Sequence, residues 1–134
     1  MPGYSGKALS VKIGLKDGHR ASLIGAPADV RDQLVLPGNR IAWKRFPADA
    51  LDCIILFAPD RRMLESGFAR AAAALTPAGM LWVAWPKKAS GIATDLTENT
   101  VREHGLAAGL VDVKVCAVSD VWSGLKFVRR LEDR

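Results

Sequence analysis

The sequence predicts an α/β fold built on a mostly parallel, six-stranded sheet that ends in an antiparallel hairpin. Two apolar runs of strand length, 51–58 and 80–85, are typical of strands that are buried on both faces. Segments with apolar residues at helical spacing alternate with the strands, which favours helices packed on a parallel sheet. With 134 residues, of which 49% are hydrophobic and 25% charged, the sequence fits one ordered domain, 1–134.

The first half of the sequence contains short elements. Leu9 and Ile13 lie one helical turn apart, which predicts a short helix over 5–15. An apolar segment then predicts the first strand, and Pro27, which suits the first position of a helix, predicts the helix that follows. Alternating side chains predict a weak second strand. These three elements span 19–25, 27–34 and 40–45.

The second half carries stronger signals. Asp60 follows the apolar run 51–58 and is a natural N-cap for a helix. The next apolar residues form one helical face, and they are Leu64, Phe68, Ala71 and Leu75. The segment 76–79 is predicted to end this helix. The remaining elements are a strand at 80–85, a helix from about 95 to 109, a strand at 111–117, a turn at 120–124 and a strand at 125–130. The predicted cap of the helix from about 95 to 109 is either Asp95 with Glu98 or Thr97 alone.

The predicted order is helix, strand, helix, strand, strand, helix, strand, helix, strand, strand. This order, with its terminal hairpin, is characteristic of the three-layer, methyltransferase-like variant of the Rossmann fold. Ligands of such sheets bind beyond the carboxyl ends of the strands. Three of the predicted strands are followed by a proline at their carboxyl ends, namely Pro27, Pro59 and Pro86. These prolines either simply end the strands or form a rigid rim with few free amides.

The charge permits several classes of partner. The formal charge is +5, which suits nucleic acid, an anionic membrane surface or an acidic small ligand. However, basic residues cluster only in pairs, Arg61-Arg62, Lys87-Lys88 and Arg129-Arg130, which favours a solvated surface over nucleic-acid binding. No apolar run approaches the roughly 18 residues of a membrane span, so we expect no membrane partner. Nothing in the sequence identifies a protein partner or an oligomeric state.

The cysteines and histidines suggest no metal or catalytic centre. Cys53 and Cys116 each lie in an apolar run, which predicts buried thiols, and no C-x-x-C pair is present for a metal. His19 and His104 have no nucleophile close to them in the sequence. Because the first residues resemble no secretory signal, we expect a cytoplasmic protein.

The segment 81–98, LWVAWPKKASGIATDLTE, resembles the signature of a bacterial protein family of unknown function. The segments Gly3–Lys7 and Gly109–Val118, the latter followed by Trp122–Lys126, carry the same resemblance, which covers nearly the whole chain. The resemblance implies a small, stand-alone bacterial protein and implies no particular activity.

A more distant resemblance is to class I methyltransferases. These enzymes carry an acidic residue and a Gly-x-Gly-x-Gly turn at the end of the first strand, and an acidic residue at the end of the second strand that holds the cofactor ribose. In this sequence only Gly25 of the turn matches, Pro27 and Asp29 replace the later glycines, and the second strand ends in Lys44-Arg45. Because proline adds bulk and lacks an N–H donor, these departures argue against S-adenosylmethionine, and we expect no cofactor.

The polar loop 87–94 is the predicted binding site. It carries ammonium and hydroxyl groups with a flexible glycine and leads into a helix N-terminus, which attracts anions. Two residues after the fifth strand are predicted to form a second wall. The alternative is a solvated loop held by its own capping bonds, with Asp95 occupying the helix end. The predicted contact residues are Lys87, Lys88, Ser90, Gly91, Thr94, Trp122 and Lys126.

The sequence thus favours a protein that is not a methyltransferase, with no cofactor or metal and no recognisable catalytic group. It would bind a small anionic ligand or a protein partner at the carboxyl-terminal edge of the strands. Two alternatives remain open. One is a small-molecule transferase with a degenerate S-adenosylmethionine pocket, and the other is a basic nucleic-acid-binding domain.

Overall fold

The computed structural model describes residues 8–134, and its elements follow the predicted order. The helices are α1 (Leu9–Ile13), α2 (Ala28–Leu34), α3 (Arg61–Ala73) and α4 (Glu98–Ala107). The strands are β1 (Arg20–Ile24), β2 (Ala42–Trp43), β3 (Leu51–Phe57), β4 (Leu75–Pro86), β5 (Leu110–Ala117) and β6 (Trp122–Arg129). Short 3₁₀ turns lie at Lys88–Ser90 and Leu131–Asp133. The segment 3–7 and the start of the predicted first helix lie outside the described residues.

The strands form one mixed six-stranded sheet in the order β2-β1-β3-β4-β6-β5. The first four are parallel to one another, whereas β6 pairs antiparallel with both β4 and β5. The terminal hairpin therefore joins the sheet through its second strand, β6, which lies beside β4, and β5 forms the edge. The predicted α/β class and the antiparallel hairpin are confirmed.

Apolar side chains cover both faces of the sheet. Because successive residues of a strand point to opposite faces, Ile54 of β3 packs with α3 and α4, whereas its neighbour Ile55 packs with α1 and α2. Trp85 lies on the α3/α4 face and Trp82 on the α1/α2 face, which confirms that these two indoles point apart. The Trp82 indole N–H donates to the carbonyl oxygen of Ile13 at 3.0 Å and so ties α1 to the sheet.

Both ends of α3 are held by side chains. The Asp60 carboxylate accepts a hydrogen bond from the Met63 backbone N–H at 2.9 Å, as its N-cap position predicts. At the other end, the Arg129 guanidinium of β6 donates to the Ala72 carbonyl oxygen at 2.8 Å and to that of Leu75 at 3.3 Å. These bonds satisfy backbone groups that a helix end otherwise leaves unpaired and fix α3 over the sheet.

Helix α4 is anchored to the edge of the sheet. Thr97 caps it by accepting a hydrogen bond from the Thr100 N–H at 3.2 Å. The Arg102 guanidinium donates to the Asp112 carboxylate of β5 at 2.9 Å. Gly105 faces the ring of Phe127 on β6, and a Cβ at this position would overlap that ring. The glycine in the middle of α4 is thus required by the close packing of a helix on an aromatic ring.

Two predicted boundaries are wrong for physical reasons. The segment 76–79 was expected to end a helix before the strand, but β4 begins at Leu75, which pairs with Leu51 before a register irregularity. The predicted turn at 120–124 is shorter, because Trp122 pairs with Pro86 and opens β6. Gly124 lies within that strand, where a Cβ would approach Val118 and Trp82 to about 3 Å.

Candidate functional site

Four parallel strands, β2, β1, β3 and β4, end side by side at one edge of the sheet. The chain leaves β1 for β2 on one side and later returns to place β3 on the other side, so the strand order reverses between β1 and β3. Ligands of open α/β sheets bind beyond the carboxyl ends of the strands at such a reversal. The edge between β1 and β3 is therefore the candidate site.

Two adjoining cavities open around Gly25 at this edge. The larger has a volume of about 670 Å³ and lies between the end of β1, the segment after β2 and α3. The smaller, of about 380 Å³, lies between Gly25, Phe57 and the start of α3. Met63 and Ser66 of α3 line both cavities together with Gly25. We call the two cavities together the crevice, and its size is in the range of small-molecule sites.

The larger cavity exists because no helix connects β2 to β3. An irregular segment, 44–50, takes its place, and the Phe46 side chain packs against the α3/α4 core there. The Arg20 guanidinium holds this segment by donating to the carbonyl oxygens of Asp49 at 3.0 Å and Ala50 at 3.2 Å. The α3/α4 face of β1 thus remains open beside Phe46.

The walls of the crevice are strongly basic. Five cationic side chains from three parts of the chain line it, and all five are exposed: Arg31, Lys44, Arg45, Arg62 and Arg70. Within residues 8–134 none of the five forms a salt bridge. Asp60 is the one carboxylate among the lining residues, and one of its oxygens already caps α3. The crevice therefore carries a net positive charge.

Gly25 shapes the corner between β1 and α2. Its φ of +72° lies in the left-handed region that favours glycine, and a Cβ there would lie 3.4 Å from the carbonyl oxygen of Phe57. Pro27 then occupies the N-cap of α2 and contributes no N–H. The corner is tight, and its proline offers no backbone N–H to a ligand.

The crevice includes a residue with an unsatisfied buried donor. The Trp43 indole N–H is inaccessible to solvent and has no hydrogen-bond partner among the described residues. The Ser22 hydroxyl of β1 is in the same situation. Such groups cost stability when they stay unpaired, and they are uncommon in folded proteins.

The predicted site residues of the loop 87–94 are engaged in local bonds. The Thr94 hydroxyl donates to the Pro59 carbonyl oxygen at 2.8 Å and accepts from the Leu96 N–H at 3.1 Å. Ser90 bonds within its own 3₁₀ turn, donating to the Lys87 carbonyl oxygen at 2.6 Å. Lys88 and Gly91 are exposed. The Ser90 and Thr94 hydroxyls are thus engaged in hydrogen bonds with other groups of the chain.

Of the two predicted caps for the helix after the loop, Asp95 is not the one used. Its carboxylate accepts a hydrogen bond from the Arg61 N–H of α3 at 2.8 Å. Thr97 caps α4 instead. The loop is therefore bonded to the start of α3 through Thr94 and Asp95.

The two predicted second-wall residues lie apart. The Trp122 ring meets the Phe57 ring edge-on, with 5.2 Å between the ring centroids, near the carboxyl end of β3. Lys126 pairs with Trp82 across the sheet and lines a different cavity, together with His19 and Asp52. None of the seven predicted contact residues lines the crevice, and their binding of a ligand stays a prediction.

The thiols are not suited to chemistry. Burial raises the pKa of the Cys53 thiol to about 12. Burial also raises the pKa of Cys116, which is half-buried. No cluster of His, Cys, Asp and Glu suited to a metal occurs within residues 8–134. In the same part of the chain, no helix is long and apolar enough to cross a membrane.

Sequence reasoning missed most of the crevice. Arg31, Arg62 and Arg70 lie on helices and Phe46 lies in an irregular segment, so no local motif links them. Lys44 and Arg45 were noticed, but only as a departure from the methyltransferase pattern. Their position at the end of the second strand, next to the expected reversal of strand order, is the signal that could have identified them as site residues.

Comparison with known proteins identifies the fold. No family model matches the sequence, and no curated protein matches it, so the resemblance to a bacterial family of unknown function gains no support. Among solved structures, the fibrillarin pre-rRNA processing protein of Methanococcus jannaschii is 14% identical with a TM-score of 0.59, and the alignment covers 96% of this chain and 76% of that one.

Two further structures are similar. A precorrin-6y C5,15-methyltransferase of Geobacter metallireducens is 12% identical with a TM-score of 0.61, over 91% of this chain and 86% of that one. An enzyme described as a pericyclic reaction enzyme is 16% identical with a TM-score of 0.56, over 91% of this chain but only 39% of its own length. The chain therefore has the class I methyltransferase-like fold.

The comparisons correct the function expected from the sequence. The structural neighbours are nearly all S-adenosylmethionine-dependent methyltransferases. The interpretation as a non-methyltransferase that binds a small anionic ligand or a protein partner is therefore wrong, and the transferase alternative is better supported. The error came from giving more weight to the changed residues at two strand ends, Pro27 and Asp29 at the first and Lys44-Arg45 at the second, than to the strand order that places the crevice.

Proposed function

We propose that this chain binds S-adenosylmethionine in the crevice and acts as a small methyltransferase. The observation that carries the proposal is the position of the crevice at the reversal of strand order between β1 and β3. In folds of this kind, that position binds the nucleoside part of a cofactor. The similarity to methyltransferases of known structure supports the same assignment, although a fold by itself hosts many functions.

Some residues of the crevice match parts of this cofactor, whereas the excess of cationic side chains opposes the positive charge of its sulfonium group. Ile24 and Met63, which both pack against the α3/α4 core, provide apolar surface for a purine ring. Guanidinium groups such as Arg31 are matched to the carboxylate of the cofactor's amino acid part. Asp60 is the carboxylate that lines the crevice near Gly25, and it would accept hydrogen bonds from ribose hydroxyls in place of an acidic residue after β2.

The chemistry follows from the bound group. S-adenosylmethionine supplies a methyl group on a positively charged sulfur, which is transferred to an electron pair of an acceptor. The protein's own contribution would be to orient the two molecules and exclude water, which accelerates a reaction between bound partners. The larger cavity extends past Gly25 towards Phe46 and leaves room for an acceptor beside the cofactor.

Isothermal titration calorimetry with S-adenosylmethionine tests the proposal. The chain is expected to bind it with a micromolar dissociation constant. Ser66→Trp places an indole in both cavities at an exposed position of α3 and should weaken binding by about tenfold or more, which is about 1.4 kcal/mol.

Glu65→Trp is the matched control. Glu65 precedes Ser66 on α3, is equally exposed and does not line the crevice. Its substitution should leave the dissociation constant unchanged. Absence of binding by the wild-type protein, or an equal effect of the two substitutions, would contradict the proposed site.

A further inference from the structure

The five cationic side chains of the crevice are distributed along a track. Arg62 and Arg70 lie eight residues apart on α3, which places them roughly 12 Å apart along the helix axis. Lys44 and Arg45 stand on the opposite side, in the segment after β2, and Arg31 projects from α2. A single small anion cannot contact charges spread over this length, so the track is suited to a ligand with several negative charges.

None of the five cationic side chains of the track forms a salt bridge within residues 8–134. Both salt bridges found within residues 8–134 belong to Arg102, which lies on α4. Asp60 is the one acid among the crevice residues. The excess of positive charge in the whole sequence, +5, adds to the local field.

An aromatic ring lies within the track. The Arg70 guanidinium lies over the Phe46 ring, 5.6 Å from its centroid, and both residues line the larger cavity. Trp43 also borders this cavity, but its indole packs against the α1/α2 face of the sheet. A basic groove with aromatic side chains is the arrangement that binds single-stranded nucleic acid, since cations pair with phosphates and rings stack on bases.

We propose that the crevice and its cationic track bind single-stranded nucleic acid. Binding of the strand does not depend on the cofactor. Only the idea that the bound strand is also the methyl acceptor rests on the proposed function. The concave shape favours a flexible single strand over a duplex, because a strand can enter the larger cavity and follow the cationic side chains on its two walls.

Fluorescence anisotropy with a labelled single-stranded RNA of roughly 12 nucleotides tests this inference. Wild-type protein should bind at low salt, with an affinity that falls steeply as salt rises, because phosphate contacts release counterions. Lys44→Ala with Arg45→Ala should weaken binding at least tenfold. If each of the two side chains neutralises one phosphate, a plot of the logarithm of the association constant against the logarithm of the salt concentration should have a slope that is shallower by about 1.4.

Lys16→Ala with Arg130→Ala is the control of equal charge. Lys16 precedes β1 and Arg130 follows the antiparallel strand β6, so both lie at the opposite edge of the sheet and are exposed. The control should retain at least half of the wild-type affinity. An equal loss in both double variants, or no binding at low salt, would overturn the inference.

Two competitors separate nucleic acid from other anions. Polyglutamate of similar length should displace the RNA poorly, because it offers no bases to stack. Complete displacement by equimolar polyglutamate, or by millimolar inorganic phosphate, would overturn the assignment to nucleic acid. Calorimetry with S-adenosylmethionine is a separate measurement, so failure of the cofactor proposal and failure of this one can be told apart.

Discussion

The Arg70 guanidinium of α3 lies over the ring of Phe46, 5.6 Å from the ring centroid. This contact joins the irregular segment after β2 to the helix on the other side of the larger cavity. It therefore helps to hold the two walls of the crevice in place. Because Phe46 also packs against the α3/α4 core, the segment is fixed by both an apolar contact and a cation–π contact.

A double-mutant cycle should detect this contact. Phe46→Leu keeps most of the apolar packing and Arg70→Met keeps the stem of the side chain, but each removes the cation–π pair. The coupling energy from urea unfolding of the four proteins should be about 0.5–1 kcal/mol. Single-variant effects that add without coupling would show that the contact does not contribute to stability.

The buried hydroxyl of Ser22 should be dispensable. It has no hydrogen-bond partner among the described residues, so Ser22→Ala should leave the free energy of unfolding unchanged or raise it by up to about 1 kcal/mol. Ser119 is the matched control, because its buried hydroxyl accepts from the Val121 and Trp122 N–H groups, both at 3.1 Å. Ser119→Ala should cost about 1–2 kcal/mol. A larger loss for Ser22→Ala than for Ser119→Ala would contradict the hydrogen-bond assignment.

Gly105→Ala should destabilise the protein although alanine favours helices. The new methyl group would overlap the Phe127 ring, so we expect a loss of about 1–3 kcal/mol in the free energy of unfolding. Adding Phe127→Leu should recover part of the loss, since the smaller side chain leaves room for the methyl group. If Gly105→Ala stabilised the protein, helix propensity would outweigh packing at this site.

The Cys53 thiol should resist ionisation and alkylation in the folded state. Its pKa is raised from the ordinary value of 9.0 to about 12 by burial, so at pH 8 a thiol reagent should label Cys53 only after unfolding. Because the unfolded thiol ionises at lower pH, the stability it contributes is present below pH 9.0 and is lost as the pH rises towards about 12. Compared with Cys53→Ala, wild-type stability should therefore fall more steeply in this range. Parallel curves for the two proteins would refute the shift.

The order of helices and strands could be predicted because each core element carries its own local signal. The apolar run of β3 and the Asp60 cap of α3 are both read directly from neighbouring residues. The exact limits of β4 and β6 could not be predicted, because they depend on partners distant in sequence. Leu75 joins its strand through Leu51, and Trp122 joins through Pro86.

The candidate site could be predicted only in its general position. The carboxyl-terminal edge of the strands was expected, but the choice of loop 87–94 relied on a local cluster of polar residues. In the structure Thr94 is bonded to Pro59, whereas the basic track combines residues such as Arg31 and Arg70 that are 39 positions apart. Such a convergence depends on the strand order, which no local pattern of residues specifies.

Titration of ¹⁵N-labelled protein with S-adenosylmethionine, followed by amide NMR, tests the central claim most directly. Binding at the reversal of strand order should shift the amide signals of Gly25, Met63 and Ser66 with a saturating, micromolar dependence. The amides of Gly91 and Ile92 in the predicted loop should be unaffected. Shifts confined to that loop, or no shifts at millimolar cofactor, would contradict the claim that the crevice is the cofactor site.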